Sequence, residues 1–150
     1  MNRAIELARK SMLAGHGGPF GAVIVCDGEI IGEGSNQVVL HNDPTAHGEI
    51  IAIRDACAKR KNFSLEGASI YTTGQPCPMC LGAIHWARIS RIYYGFRIED
   101  AAEMGFDDTT IYAQFALPVS ERLIPATELC RDATLLLAAE FTSMPHRVKY

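Results

Sequence analysis

The sequence predicts an α/β fold, a three-layer α/β/α sandwich around a central mixed sheet, and three observations carry that prediction. Two β-type runs at residues 20–26 and 29–34 are joined by Asp27-Gly28, a pair suited to the positive backbone angles of a tight antiparallel hairpin. The succession of strand, helix and strand over residues 68–95 is a crossover unit, which normally pairs its two strands in parallel. Helical patterns precede, separate and follow these strands, so helices are available to cover the sheet.

Taken in order, Ala4, Ile5, Ala8, Met12 and Leu13 fall on one side of an opening helix that ends near Gly15. The hairpin follows. Asp43-Pro44-Thr45 combines capping residues with a proline tolerated in a first turn, and Ile50, Ile53, Arg54 and Cys57 continue at helical spacing, so His47 and Glu49 open a helix. Residues 68–73 read as a strand, 74–76 as a turn, 78–88 as a helix with Cys77 and Cys80 at its N-terminus, and 91–95 as a strand. Residues 99–104 and 108–115 are expected as short helices and 124–129 as a last strand. A terminal helix over 131–144 carries Ala133, Leu136, Leu137 and Phe141 on one face.

The length of 150 residues with 48% hydrophobic content suits a single domain with one well-filled core. No basic segment leads into an apolar run at the N-terminus, no stretch approaches a membrane span, and no repeat is visible, so a soluble, cytoplasmic protein without membrane partners is expected. Once two of the five cysteines are assigned to metal, Cys26, Cys57 and Cys130 remain and are expected as buried core thiols. That usage suits a reducing compartment. A net charge of -3 offers no basic footprint for a nucleic-acid partner, and His146-Arg147-Val148-Lys149 reads as a solvated tail.

The chemistry lies in His47-Gly48-Glu49 and Pro76-Cys77-Pro78-Met79-Cys80. One imidazole and two thiolates give a tetrahedral zinc ion three protein ligands and leave its fourth position open, which is the arrangement of a catalytic ion. Zinc held in this way lowers the pKa of water toward neutrality. Glu49 follows His47 by two residues, near enough to exchange a proton with that water without ligating the metal. A structural zinc site wants a fourth ligand, and the nearest candidate, His85, falls on a different face of the helix from Cys80. A redox pair or zinc knuckle accounts for Cys77 and Cys80 but leaves His47 and Glu49 without a purpose. Both segments open helices, whose partial positive charge favours thiolates.

Further segments carry a family resemblance: Gly18-Pro19-Phe20-Gly21-Ala22, Asp43-Pro44-Thr45-Ala46-His47, Cys77-Pro78-Met79-Cys80-Leu81-Gly82-Ala83-Ile84 and Trp86-Ala87-Arg88. With these, the chain from Gly18 to about Tyr112 resembles the cytidine deaminase superfamily, whose zinc signature is His-x-Glu followed by Pro-Cys-x-x-Cys. Residues 101–108 followed by Ile111-Tyr112 are similar to the segment by which small bacterial guanine deaminases bring a second carboxylate to the substrate. Gly48 stands where the family often has Ala and Gln75 where it often has Glu, and residues 125–147 match it only loosely.

The resemblance implies a cytidine-deaminase-like sandwich and hydrolysis of guanine to xanthine and ammonia, with one zinc on His47, Cys77 and Cys80, water as co-substrate and a small purine base as partner. Two proton movements are needed, and the resemblance assigns them to Glu49 and Asp108. For Asp108 the competing reading is a helix cap before Thr109-Thr110, and Asp107 is the less favoured candidate for the acid role. Asn36 is implied as the amide that hydrogen-bonds the base, against a plain turn residue. Phe20 resembles the ring-stacking aromatic, with Trp86 and the terminal Tyr150 as pocket walls or a lid, against core packing and a frayed end. Related enzymes exchange the C-terminal segment, which implies a homodimer with Tyr150 reaching the partner's site. Deaminases of cytosine, triazines or tRNA adenosine are the rival enzymes, and a zinc-stabilised nucleic-acid-binding module is the rival without turnover.

Overall fold

Asp27 and Gly28 take φ of 52° and 82° and fold β1 (Gly21–Cys26) back onto β2 (Glu29–Ser35), the hairpin expected from the sequence. The computed structural model describes residues 1–149 and divides into two units, residues 1–109 and residues 110 onward. In the first unit the sheet order is β2-β1-β3-β4. β3 (Ser69–Gly74) runs antiparallel to β1, whereas β4 (Arg91–Phe96) returns through the crossover helix α4 (Pro78–Trp86) and pairs with β3 in parallel. The sheet is therefore mixed, as predicted.

The pairing register sorts side chains between the two faces. Ala22 stands opposite Gly34 and Ile24 opposite Gly32, and this face packs on α3 (Gly48–Arg60) and α4. Ala22, Ile24, Ala52, Ala56, Ile70 and Ile84 form the heart of that core. The alternate residues point the other way. There the Arg3 guanidinium of α1 (Asn2–Leu13) donates to the Glu33 carboxylate at 2.7 Å, and a Cβ on Gly21 would overlap the Ala4 carbonyl. One helix on one face and two on the other make the three layers.

The faces that the helices bury differ from those expected. In α1 the buried residues are Ala4, Ala8 and Ser11, while Leu13 is 76% exposed and Ile5 and Met12 are also exposed. In α3 the buried row is Gly48, Glu49, Ala52 and Ala56, with Ile50, Ile53 and Cys57 half-buried beside it and Arg54 exposed. The cause is close approach of backbone to backbone. A Cβ on Gly32 would meet the Ala52 carbonyl, and one on Gly34 would overlap the Gly48 carbonyl. Only small side chains fit between such surfaces. Gly34→Ala is therefore expected to destabilise by about 1–3 kcal/mol. In thermal denaturation that is a fall of about 3–9 °C in Tm. An unchanged Tm would show that the strand and helix yield without cost.

A short helix, α2 (Val38–His41), was not expected; it ends at Asn42 with φ 50°. Asp43 caps no helix: its Oδ1 accepts from the Thr45 N–H at 2.8 Å and from the Thr45 hydroxyl, closing a local turn. The chain then runs on to His47, the true N-cap of α3.

α5 (Ile98–Glu103) and the start of α6 (Thr109–Ala116) complete the first unit. The second unit holds the rest of α6, a 3-10 turn (Val119–Glu121) and α7 (Arg131–Ser143). Residues 124–129 are not the predicted strand: no described strand pairs with them, and Ile124 is 84% exposed. Apolar composition alone does not make a strand when the backbone N–H and C=O groups have no neighbouring ladder. Leu136, Leu137 and Phe141 of α7 are also exposed. The three remaining cysteines are not buried thiols either. Cys26 and Cys57 are half-buried at the edge of the core, and Cys130 is exposed at the N-cap of α7. No helix among the described residues is long and apolar enough to cross a membrane.

Candidate active site

Two helix N-termini converge at the site. His47 is the N-cap of α3 and Cys77 that of α4, both with extended backbone angles that end the preceding loop. Pro78 occupies the first turn of α4, where its missing N–H costs nothing. The Cys77 sulfur accepts from the Cys80 N–H at 3.5 Å and thereby acts as the capping group. The His47 ring makes no cap bond and turns toward the cysteines instead.

His47 Nδ1 lies 3.6 Å from Cys77 Sγ and 3.5 Å from Cys80 Sγ, and the three ligand atoms lie within 4.8 Å of one another. Ordinary zinc–nitrogen and zinc–sulfur bonds at a tetrahedral angle separate N and S by about 3.6 Å. The donor set and spacing thus fit a tetrahedral zinc ion with three protein ligands and an open fourth position. Among the described residues no other His, Cys, Asp or Glu joins this group, and His85 is exposed away from it.

The protein groups prepare this charge distribution themselves. Cys77 is pushed down to about 4, chiefly by the hydrogen bond from the Cys80 thiol and further by His47, which favours its thiolate. Cys80 is correspondingly raised. His47 is raised by its hydrogen bond to Cys77, against the opposing effect of burial. Glu49 is 6% exposed in the first turn of α3, and burial followed by the Cys77 thiolate lifts its carboxyl above the ordinary range. A carboxyl moved toward neutrality is suited to taking up and returning protons.

The flanking loop separates the two adjacent aspartates. Asp107 closes a local turn: its Oδ1 accepts from the Thr109 N–H at 2.9 Å and from the Thr109 hydroxyl, which holds its carboxyl below the usual range. Asp108 is left half-buried, raised first by burial and then by Cys77, while His47 opposes. It therefore lies within electrostatic reach of two of the metal-binding residues. Asn36, directly after β2, is 4% exposed; its N–H donates to the Phe20 carbonyl at 2.8 Å, and the next N–H, from Gln37, donates to Ala46 beside His47 at 2.9 Å.

Phe20 is half-buried between two aromatic rings that sequence reading missed, Phe96 at 5.6 Å and Phe106 at 5.0 Å, both edge-on. Thr73 was missed as well. Its hydroxyl donates to the Pro19 carbonyl and accepts from the Gly21 N–H, both at 3.0 Å, and so clamps the residues on either side of Phe20. The available signal was the pair of Gly-Phe steps at Gly95-Phe96 and Gly105-Phe106. Trp86 is 67% exposed at the far end of α4, about 9 Å along the helix axis from Cys80. Tyr150 lies outside the described residues.

A zinc triad at paired helix starts, on a mixed α/β sheet, defines a zinc-binding deaminase, and residues 1–96 match the cytidine and deoxycytidylate deaminase zinc-binding region, the family to which this chain belongs. Within it the chain is 53% identical to the guanine deaminase of Bacillus subtilis (strain 168) over 125 residues, 83% of this chain and 80% of that one. The solved structure of guanine deaminase from Bacillus subtilis superposes with a TM-score of 0.95 at 46% identity, covering 99% of this chain and 95% of that chain. The tRNA-specific adenosine deaminase of Buchnera aphidicola subsp. Schizaphis graminum is 46% identical over only 59% of this chain and 58% of its own.

Proposed function

We propose that the chain is a guanine deaminase, converting guanine and water to xanthine and ammonia. The observation that carries this reading is the His47, Cys77 and Cys80 cluster with buried Glu49 in the same site, on a chain that follows a guanine deaminase along nearly its whole length. The tRNA-specific adenosine deaminases align over smaller shares of this chain, 59% and 67%. Zinc supplies the Lewis acidity that makes water nucleophilic near neutral pH. Glu49 takes the proton released from that water and returns it to the base. Asp108, whose carboxyl burial raises above the ordinary range, serves the second proton movement at the departing amino group. Asn36 hydrogen-bonds the base, Phe20 supports the ring, and Trp86 and Tyr150 wall the pocket.

The reading includes a cytoplasmic homodimer with exchange of the C-terminal segment, Tyr150 serving the partner's site. What supports it is the uncovered apolar surface of the second unit, where Leu123, Ile124, Leu129, Leu136 and Leu137 are all at least 66% exposed. Such a surface belongs against another molecule. A reducing compartment keeps the thiolate ligands available.

The test incubates zinc-loaded protein separately with guanine, cytosine, adenine and guanosine, measures ammonia and identifies the product by mass. Xanthine from free guanine is expected. Uracil or hypoxanthine as the product, or no turnover of guanine, would reject the reading. In the same assay Asp108→Asn is expected to lower kcat by about 100-fold or more with zinc content unchanged. Normal turnover in that variant would remove Asp108 from the proton path.

A further inference from the structure

Asn36 is held from every side, and two of the residues that hold it lie outside any motif described above. The Ser11 hydroxyl, itself 4% exposed on the inner side of α1, donates to the Asn36 carbonyl at 2.7 Å. On the side-chain end, the Val38 N–H donates to Asn36 Oδ1 at 3.2 Å. A backbone N–H only donates, so the atom facing Val38 is the oxygen, and the carboxamide's orientation is fixed. Gly17 packs so closely over the same group that a Cβ there would overlap Oδ1 and lie 2.9 Å from Cγ. Gly17 is needed for space rather than for its backbone angle, since its φ is not in the left-handed region.

With its oxygen committed to Val38 and covered by Gly17, Asn36 has one side-chain group left to offer, the Nδ2 amine. The bracket is tied to the metal-binding residues through the backbone. Gln37 bonds to Ala46, the residue before His47, and the Phe20 carbonyl that receives the Asn36 N–H lies 3.0 Å from the position of a Cβ on Gly48. A displacement of Asn36 therefore changes the distance between its amine and the reacting carbon, not only its own contacts.

We propose that Ser11 and Gly17 are positioning residues for substrate selection, fixing Asn36 so that it presents a hydrogen-bond donor to the base. The site then accepts rings that offer a carbonyl oxygen or unprotonated ring nitrogen at that point and disfavours those that place an amine there. This inference rests on the reading that Asn36 contacts the base.

The experiment uses the zinc-loaded full chain and steady-state kinetics with guanine, with zinc content and Tm measured for each variant. Asn36→Ala tests the underlying reading and is expected to raise KM; an unchanged KM would overturn that reading and this inference together. Ser11→Ala is expected to raise KM about tenfold with kcat within about twofold. Gly17→Ala is expected to lower kcat/KM on the order of 100-fold. The deciding arm is the double variant: Ser11→Ala should add nothing to KM once Asn36 is Ala, because its effect passes through that side chain. A KM effect that persists in the Asn36→Ala background, or none in the single Ser11→Ala variant while Asn36→Ala is impaired, would overturn the positioning role and leave the Asn36 contact standing.

Discussion

Glu49→Gln is expected to reduce ammonia release from guanine by about 1,000-fold or more while one zinc per chain is retained. The separation of the two effects follows from the geometry. His47, Cys77 and Cys80 form the ligand group without Glu49, which occupies the first turn of α3 one residue beyond Gly48. Glutamine keeps the shape and the hydrogen-bonding capacity but accepts no proton at neutral pH. It also removes an acid that burial has already driven away from its ordinary ionisation, so the variant should fold at least as well as the parent. Ammonia release and elemental zinc are measured on the same preparation. Turnover within tenfold of the parent would assign the proton transfer to another group.

Cys80→Ala is expected to have the opposite signature, with zinc falling below about a tenth of an ion per chain and turnover lost with it. Cys80 is completely buried in the first turn of α4 and supplies one of the three ligand atoms of the described cluster. The thermal consequence adds to the chemical one. Zinc binds the folded chain through ligands gathered from two helices, so its loss lowers the midpoint by the stabilisation that bound metal contributes. If Cys80→Ala instead bound zinc stoichiometrically and deaminated guanine, the three-ligand site would be wrong. Chelation of the parent protein followed by zinc return should reproduce the loss and reverse it.

The central fold and the metal ligands were legible in the sequence because each has a short-range signature. Asp27-Gly28 demands a hairpin, the 68–95 crossover demands parallel pairing, and the two-residue offset of His47 and Glu49 puts both into one helix start. The inward faces of α1 and α3 were less legible. Hydrophobic spacing points to Ile and Met, but strand glycines 32 and 34 set how near α3 lies, and that depends on residues far apart in sequence. The same holds for Phe106, whose contact with Phe20 spans most of the first unit. Asp107 and Asp108 show the limit most plainly. Their roles are distinguished only by which one meets Thr109, a choice that adjacent identical residues conceal. The stretch at 124–129 failed for another reason, since a strand needs a neighbour and composition does not supply one.

The close seating of β2 on α3 sets where this enzyme is open to redesign. At Gly32 and Gly34 a single added methyl group would overlap the backbone of α3, the helix that carries Glu49, so catalytic geometry and scaffold accept change there only together. A mutant library spread over that surface would consist mainly of destabilised members. The loop around Phe106, Asp107 and Asp108 is exposed or half-buried and adjoins the same chemistry. Attempts to redirect the activity to another heterocycle therefore belong at the positions beside Asp108, with Asp108 itself kept, where a new pocket shape costs little and leaves Glu49 in place.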